Sequence, residues 1–197
     1  ELAELKKTTA PRAEVESLGP PFLEAAARLA RADAQLQFVI PCADRSLAEV
    51  LRGLCNVAEL DASRVHLIDG RSHDCLEAAD VAVVAGGTAT LEAMLFKRPM
   101  VIAYRVPRLT EWITLRQAVI PYFGLPNVLE GRHTDPELLQ EAVEPGRIAA
   151  AVLRYLDEPA EVARLHERFD RQHEALLRDT PGLTAQAIID NLPRGRA

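Results

Sequence analysis

Two glycines and a threonine separate an apolar run from a helix-forming run in the segment Val81–Glu92. Gly86 and Gly87 have no side chains that would keep a ligand away from the backbone. The pattern predicts that Thr88 caps the following helix, whose free N–H groups and dipole attract phosphate. Glu92 follows about one turn later, where a carboxylate can accept hydrogen bonds from sugar hydroxyls. The combination favours a nucleotide-sugar pocket, although a two-glycine turn can also serve tight packing alone.

A second segment, Tyr122–His133, is rich in proline and glycine and is therefore predicted to be a loop. Loops carry a disproportionate share of binding residues. The planar guanidinium of Arg132 suits a diphosphate, and the amide of Asn127 suits a base, a sugar or a phosphate. A solvated loop arginine is the competing interpretation.

A third segment, Arg105–Arg116, combines basic and apolar side chains around the only tryptophan of the sequence. Such a short helix suits an anionic membrane surface. The alternative is an ordinary amphipathic helix whose tryptophan lies in the core. The predicted membrane-facing residues are Arg108, Trp112, Ile113 and Arg116.

Net charge and residue spacing disfavour several other classes of protein. The 197 residues carry a net charge of -6, which disfavours a nucleic-acid binder that relies on overall positive charge. The histidines and the three cysteines show no metal-ligand spacing, and neither a G-x-S-x-G elbow nor a Walker P-loop occurs. We therefore expect no metal and no cofactor, and reduced thiols in a cytosolic protein.

Short apolar runs alternate with helical stretches along much of the chain. Strands are predicted at Leu36–Ile40, Val65–Ile68, Val81–Ala85 and Met100–Tyr104. Helices are predicted at Glu14–Ala32, Ser46–Glu59, Asp74–Ala79, Thr88–Phe96, Leu109–Val119, Pro136–Val143, Pro145–Leu156, Ala160–Arg178 and Leu183–Leu192. The alternation predicts an α/β fold with a doubly wound, Rossmann-like parallel sheet, whose ligands bind at the carboxyl ends of the strands. We expect an atypical segment at 1–13, a nucleotide-sugar-binding domain at 14–158 and a helical tail at 159–197.

Four separated motifs closely resemble the lipid-A-disaccharide synthase family and occur in that family's order. They are Ala79–Leu95, Arg98–Arg105, Leu125–Arg132 and Pro136–Pro145. The resemblance implies the C-terminal, donor-binding half of a two-domain GT-B glycosyltransferase. Such an enzyme transfers 2,3-diacylglucosamine from UDP to 2,3-diacylglucosamine 1-phosphate (lipid X) in lipid A biosynthesis, with inversion and without a metal. It also implies a peripheral enzyme at the inner face of the bacterial cytoplasmic membrane.

The resemblance further implies which residues would hold the UDP-sugar. They are Gly86, Gly87, Thr88, Glu92, Tyr104, Arg105, Asn127, Arg132 and Gln140. The general base is expected in the N-terminal acceptor domain of the family, so no catalytic residue is assigned in this chain. In enzymes of this type a C-terminal helix often crosses to the other domain and packs on it. For the tail of this chain, two possibilities therefore stay open: exposure to solvent or formation of a homodimer.

Two departures from the family pattern bear on this interpretation. The family usually has Ser-Gly-Thr where this chain has Gly86-Gly87-Thr88. The family also has an apolar strand and a Gly-Ser-Arg loop where this chain has Lys7–Val15, and Arg12 is only a candidate substitute for that loop. Alternatives are a MurG-like transferase, a UDP-GlcNAc 2-epimerase, or a non-catalytic UDP-sugar-binding remnant. An epimerase would need its own catalytic carboxylates and histidine, and the sequence shows no such arrangement.

Overall fold

The computed structural model of the protein describes residues 2–105 and 121–191, with side chains described from residue 12 onward. The described residues form five strands, β1 to β5: Phe38–Cys42, Val65–Asp69, Ala82–Val84, Met100–Tyr104 and Glu137–Leu139. They also form eight helices, α1 to α8: Leu2–Ala32, Arg45–Val57, Ser72–Ala78, Thr88–Leu95, Leu125–Glu130, Pro145–Asp157, Pro159–Leu176 and Thr180–Asn191. The predicted helix Leu109–Val119 and the four predicted membrane-facing residues lie outside the described residues.

Every strand pairing in the described part of the chain is parallel, which confirms the predicted α/β class. The strands form two ladders, β1-β2 and β3-β4-β5, rather than the single sheet that was predicted. A doubly wound sheet starts with a central strand, adds strands on one side, and then crosses to the other side. In that order a central strand would precede β1 and lie between β1 and β3. Here the segment that precedes β1 is the helix α1, so the two ladders remain separate.

Strand β4 is the centre of the core. Met100, Val101, Ile102 and Ala103 are each 0% exposed, as expected for a parallel strand covered on both faces. Strand β3 pairs with one edge of β4 and β5 with the other. The position predicted for this strand, Met100–Tyr104, is confirmed to the residue.

Helix α1 links the two ladders through two different faces. Leu18, Ala25 and Leu29 pack into the core cluster that contains β4. Leu23 and Ala27 pack into a second cluster with β1 and α2. Because apolar helix residues recur every three to four positions, one helix can cover both ladders only with a wide apolar surface. The predicted helix at Glu14–Ala32 is confirmed and forms the C-terminal part of α1.

The predicted helix Pro136–Val143 is wrong. Residues Glu137–Leu139 form strand β5, which pairs with β4 from Ile102 to Tyr104, and a short 3-10 turn at Gln140–Ala142 follows. Helix propensity is a weak preference, and pairing with a buried strand overrides it. The strand thus exists because a partner edge is available, which local sequence does not reveal.

The helical tail has two unlike parts. Helix α7 contributes Leu165 and Phe169 to the main core cluster, so it packs on the domain. Helix α8 is exposed along its described length, including Leu183, Ile188 and Ile189. Within the described residues, no helix is long and apolar enough to cross a membrane.

Candidate functional site

The two-glycine bend lies immediately after β3 and immediately before α4. Gly86 has a φ of +93° and Gly87 a φ of +64°, a left-handed region that side chains other than glycine seldom adopt. A Cβ on Gly86 would lie 3.3 Å from Cδ2 of Tyr104, whereas a Cβ on Gly87 would meet no atom within 4 Å. Gly87 and Thr88 are exposed. The bend is therefore open to solvent at the start of a helix, where backbone amides can bind an anion.

The prediction that Thr88 caps α4 is wrong. Gly87 occupies the N-cap position, Thr88 is the first helical residue, and no side chain caps the helix by a hydrogen bond. With Gly87 as the N-cap, the helix begins one residue earlier than a Thr88 cap would place it. The exposed Thr88 hydroxyl therefore stands at the first turn of the helix.

Thr90 connects the bend to the next part of the site, and sequence reasoning missed it. It is 0% exposed. Its hydroxyl donates to the carbonyl oxygen of Gly87 at 2.8 Å and accepts a hydrogen bond from the backbone N–H of Leu125 at 3.0 Å. The signal that could have found it is a second hydroxyl residue, two positions after Thr88, in the first turn of a helix.

Glu92 lies on α4 and points toward α3. One carboxylate oxygen is 3.6 Å from Nε2 of His73, and the Glu92 side chain is 40% exposed. The ring of His73 in turn packs against the ring of Phe96 at a tilt of 46°, with 5.3 Å between the centroids. The carboxylate therefore has a neighbour and still reaches solvent, and its contact with a sugar stays a prediction.

Tyr104 and Arg105, at the end of β4, have different environments. The ring of Tyr104 lies against Gly86 and is 6.0 Å from the ring of Phe123. Arg105 donates hydrogen bonds to three backbone carbonyls, those of Ser17 at 3.2 Å, Gln140 at 3.4 Å and Val143 at 2.7 Å. It thereby ties β4 to α1 and to the turn after β5, a structural role that sequence reasoning did not anticipate.

Asn127 lies in the helix α5 and not in a loop as predicted, because Gly124, Leu125 and Pro126 start a helix with proline in its first turn. Its side chain is 0% exposed. Both amide hydrogens are used, by the carbonyl of Asp135 at 2.9 Å and a carboxylate oxygen of Glu137 at 2.8 Å. In this structure Asn127 is a scaffolding residue, and direct contact with a ligand stays a prediction.

The Asn127 side-chain oxygen completes this scaffold. It accepts hydrogen bonds from the backbone N–H of Thr134 at 2.7 Å, from the Thr134 hydroxyl at 2.6 Å and from the backbone N–H of Asp135 at 3.0 Å. A buried amide with all of its hydrogen bonds formed stabilises one loop conformation. The segment after α5 is thus folded back onto the helix.

Glu137 is a second buried polar residue that sequence reasoning missed, since it fell in the wrongly predicted helix. Its side chain is 2% exposed. Its carboxylate accepts hydrogen bonds from the backbone N–H of Phe123 at 3.1 Å and of Gly124 at 2.8 Å. These bonds hold the residues that lead into α5 against β5.

Arg132 lies on the surface, just after α5. Its guanidinium donates to a carboxylate oxygen of Glu130 at 2.8 Å, and its side chain is 60% exposed. The neighbouring Tyr122 hydroxyl donates to the carbonyl of Gly131 at 2.6 Å. Arg132 is therefore held near the scaffold of Asn127 but is open to an anion from solvent.

The structure places the predicted site residues in different surroundings. Gly86 and Gly87 form the bend, Tyr104 lies against Gly86, Thr88 follows directly, and Thr90 joins the bend to the start of α5. Glu92 instead faces His73 of α3, and Arg132 lies on the surface after α5. The predicted residues that instead support the surrounding segments are Arg105 and Asn127. Gln140 lies in the turn after β5 with a φ of +51°.

The chain matches a family model described as Lipid-A-disaccharide synthetase over residues 8–188. The lipid-A-disaccharide synthase of Cupriavidus pinatubonensis is 44% identical over 179 residues, covering 91% of this chain and 44% of the relative. That of Burkholderia vietnamiensis is 41% identical over 188 residues, covering 94% and 48%. That of Azotobacter vinelandii is 42% identical over 178 residues, covering 90% and 46%.

Parallel strands, covering helices and a glycine bend at a strand's carboxyl end define a Rossmann-like α/β protein. The family match covers most of the chain, and the relatives agree with it in name. The chain belongs to the lipid-A-disaccharide synthetase family. It spans about half the length of the curated relatives it matches.

The segment that Asn127 holds contains a buried carboxyl group, that of Asp135. Burial raises the pKa of Asp135 from its ordinary 3.8 to about 6. The Tyr155 hydroxyl donates to this carboxyl group at 3.4 Å, and the Thr134 hydroxyl, 3.0 Å away, shares its one proton between Asp135 and Asn127. These contacts favour the charged form and limit the rise of the pKa. The Asp135 side chain therefore changes charge near pH 6 within the folded protein.

This raised pKa predicts a pH-dependent stability. The folded pKa lies above the unfolded one, so the stabilisation is complete below about pH 4 and is lost as pH rises through about 6. We expect the free energy of unfolding of the wild type, relative to Asp135→Asn, to fall by about 2 kcal/mol between about pH 4 and about pH 7. Urea denaturation of both proteins across this range measures the difference, and a constant difference contradicts the prediction.

Proposed function

We propose that this chain is the donor-binding half of a lipid-A-disaccharide synthase, which holds UDP-2,3-diacylglucosamine for transfer to lipid X. The main support is the open bend at Gly86 and Gly87, at the carboxyl end of β3, in a chain of this family. Ligands of doubly wound folds bind at this end of the strands. The family's enzymes carry the name of this reaction.

The bend supplies what a pyrophosphate needs. Exposed backbone amides at the start of α4 carry partial positive charge and cost no side-chain desolvation. Arg132, which pairs with Glu130 in the absence of a ligand, adds a planar set of donors that suits phosphate oxygens. We assign Glu92 to hydroxyls of the ribose, because its carboxylate reaches solvent one turn beyond the bend. The proposed donor site is completed by Tyr104, Arg105, Asn127 and Gln140. Of these, Arg105 and Asn127 contribute through the segments that they hold.

The mechanism proposed for the complete enzyme is direct displacement with inversion. A base takes the proton of the acceptor's 6-hydroxyl, and that oxygen attacks the anomeric carbon while UDP leaves. Negative charge builds on the departing phosphates, where the α4 amides and Arg132 stabilise it. We place the base in the acceptor domain of the family, and no residue of this chain is assigned that role.

The proposed division of the chain keeps residues 14–158 as the UDP-sugar-binding domain, preceded by an atypical segment and followed by the tail from residue 159. The core supports a close association of the two, since Phe169 of α7 packs in the same cluster as β4. Binding of UDP without transfer is the second candidate function for the chain by itself. The proposed site favours this second function, because its residues are all assigned to binding and none is assigned as the base.

Binding of UDP to this chain, measured by isothermal titration calorimetry, tests the donor site. A Cβ at Gly86 would press on the Tyr104 ring and strain the backbone. We therefore expect Gly86→Ala to weaken UDP binding about tenfold, a loss near 1.4 kcal/mol. Gly53→Ala is the matched control, because Gly53 lies in α2 with open space around its Cβ position.

A second pair of variants tests the phosphate contact in the same titration. Arg132→Ala should weaken UDP binding, whereas Arg171→Ala, an exposed arginine of α7, should leave it unchanged. Wild-type protein that binds no UDP contradicts the donor-site proposal. If Gly86→Ala and Arg132→Ala both bind UDP as tightly as the wild type, UDP binds elsewhere on the molecule.

We further propose peripheral binding to the anionic inner face of the bacterial inner membrane through the basic, apolar run around Trp112. The run's composition and the family's lipid substrates support this. Each basic residue near an anionic surface contributes about 1 kcal/mol, so Arg108→Gln combined with Arg116→Gln should lower vesicle affinity about tenfold or more. Co-sedimentation with phosphatidylglycerol vesicles measures it, with Arg164→Gln and Arg171→Gln as the control pair. Equal binding to neutral vesicles contradicts this proposal.

Self-association through the tail is supported by the exposed apolar residues of α8. Leu183, Ile188 and Ile189 are each more than half exposed in a helix that buries no residue. Exposed apolar surface of this kind marks interaction sites. We expect light scattering to give a dimer for the wild type and a monomer for Leu183→Glu with Ile188→Glu. The control is Arg171→Glu, an exposed position of α7 that changes the net charge by the same amount, and a monomeric wild type contradicts the proposal.

A further inference from the structure

We propose that Thr90 is a positioning residue for the phosphate-binding bend, an inference that rests on the proposed donor site. Thr90 is 0% exposed, so its side chain cannot touch a ligand. Its hydroxyl and its backbone N–H both donate to the carbonyl oxygen of Gly87, at 2.8 Å and 3.2 Å. Two donors on one carbonyl fix the direction of that peptide group more firmly than the helix bond alone.

The direction of this carbonyl determines where the neighbouring amide points. The peptide between Gly87 and Thr88 is planar and trans, so its C=O and N–H point in opposite directions. Because the Gly87 carbonyl points into the helix toward Thr90, the N–H of Thr88 points out of the helix start. That N–H is one of the free donors that an anion at this end of α4 would use.

A bend built on two glycines needs such a restraint. Glycine loses more conformational freedom on folding than any other residue. Gly87 has no neighbour within 4 Å of its Cβ position that would hold it by packing. A hydrogen bond from a buried side chain is therefore the direct way to keep the Gly87 carbonyl, and with it the Thr88 amide, in one orientation.

The same hydroxyl couples the bend to the segment that carries Arg132. As an acceptor it takes the backbone N–H of Leu125 at 3.0 Å, the first residue of α5. Arg132 follows one residue after the Gly131 that ends this helix. A hydroxyl that donates to one phosphate-facing element and accepts from the other holds both at a set separation, which valine of the same shape cannot do.

Calorimetric UDP titration of the wild type, Thr90→Val and Thr90→Ser tests this assignment. Valine keeps the shape and loses the hydroxyl, so we expect UDP affinity to fall about tenfold. Serine keeps the hydroxyl, so its affinity should stay within about threefold of the wild type. Val152→Ala, in a buried position of α6, is the stability control, because it lowers stability by removing core methyl groups.

Amide NMR without UDP gives a readout that stability alone does not move. The Thr88 and Gly87 amide signals should shift and broaden in Thr90→Val and keep their wild-type positions in Thr90→Ser and Val152→Ala. Thr90→Val with wild-type UDP affinity overturns the Thr90 assignment and leaves the donor site intact. A wild type that binds no UDP overturns the donor site and the Thr90 role together. An equal loss in Val152→Ala and Thr90→Val shows an effect of stability and also overturns the Thr90 role.

Discussion

Parallel pairing of β4 with β3 on one edge and β5 on the other is the constraint on which the described site depends. Both faces of β4 are covered, and its residues Met100 to Ala103 are fully buried. A shift of one residue in the strand pairing would turn every side chain of the shifted strand to the opposite face of the sheet. The register is therefore strongly determined. The carboxyl ends of β3, β4 and β5 therefore meet at one edge. The glycine bend, Tyr104 and the turn after β5 all lie there.

Buried polar groups then hold the segments that follow these strands. Glu137 accepts the amides ahead of α5, Asn127 folds the chain after α5 back onto the helix, and Thr90 joins α5 to the bend. Each of these groups is buried and hydrogen-bonded, which stabilises one arrangement, since a partly satisfied network would be costly. Thr88 and Arg132, which belong to the proposed donor site, remain exposed. The buried scaffold residues and the exposed residues proposed to contact a ligand thus lie close together in the sequence.

The two separate ladders distinguish this chain from a continuous doubly wound sheet. Helix α1 spans both ladders and supplies core residues to each. The half that carries β3 to β5 also carries the bend, Tyr104 and Arg132, so the proposed donor site depends on this ladder and on the segments after it. The curated relatives are about twice as long as the matched part.

Local sequence was sufficient to predict those elements that depend on interactions among neighbouring residues. The apolar, β-branched run at Met100–Tyr104 and the glycine pair before Thr88 were recognisable because side-chain pattern and backbone freedom act over a few residues. Tertiary structure decided the rest. Glu137–Leu139 became a strand only because an edge of β4 was free. Asn127 became a buried scaffold rather than an exposed contact, because hydrogen-bond partners eight to ten residues away close around it, and no pattern of neighbouring residues encodes that closure.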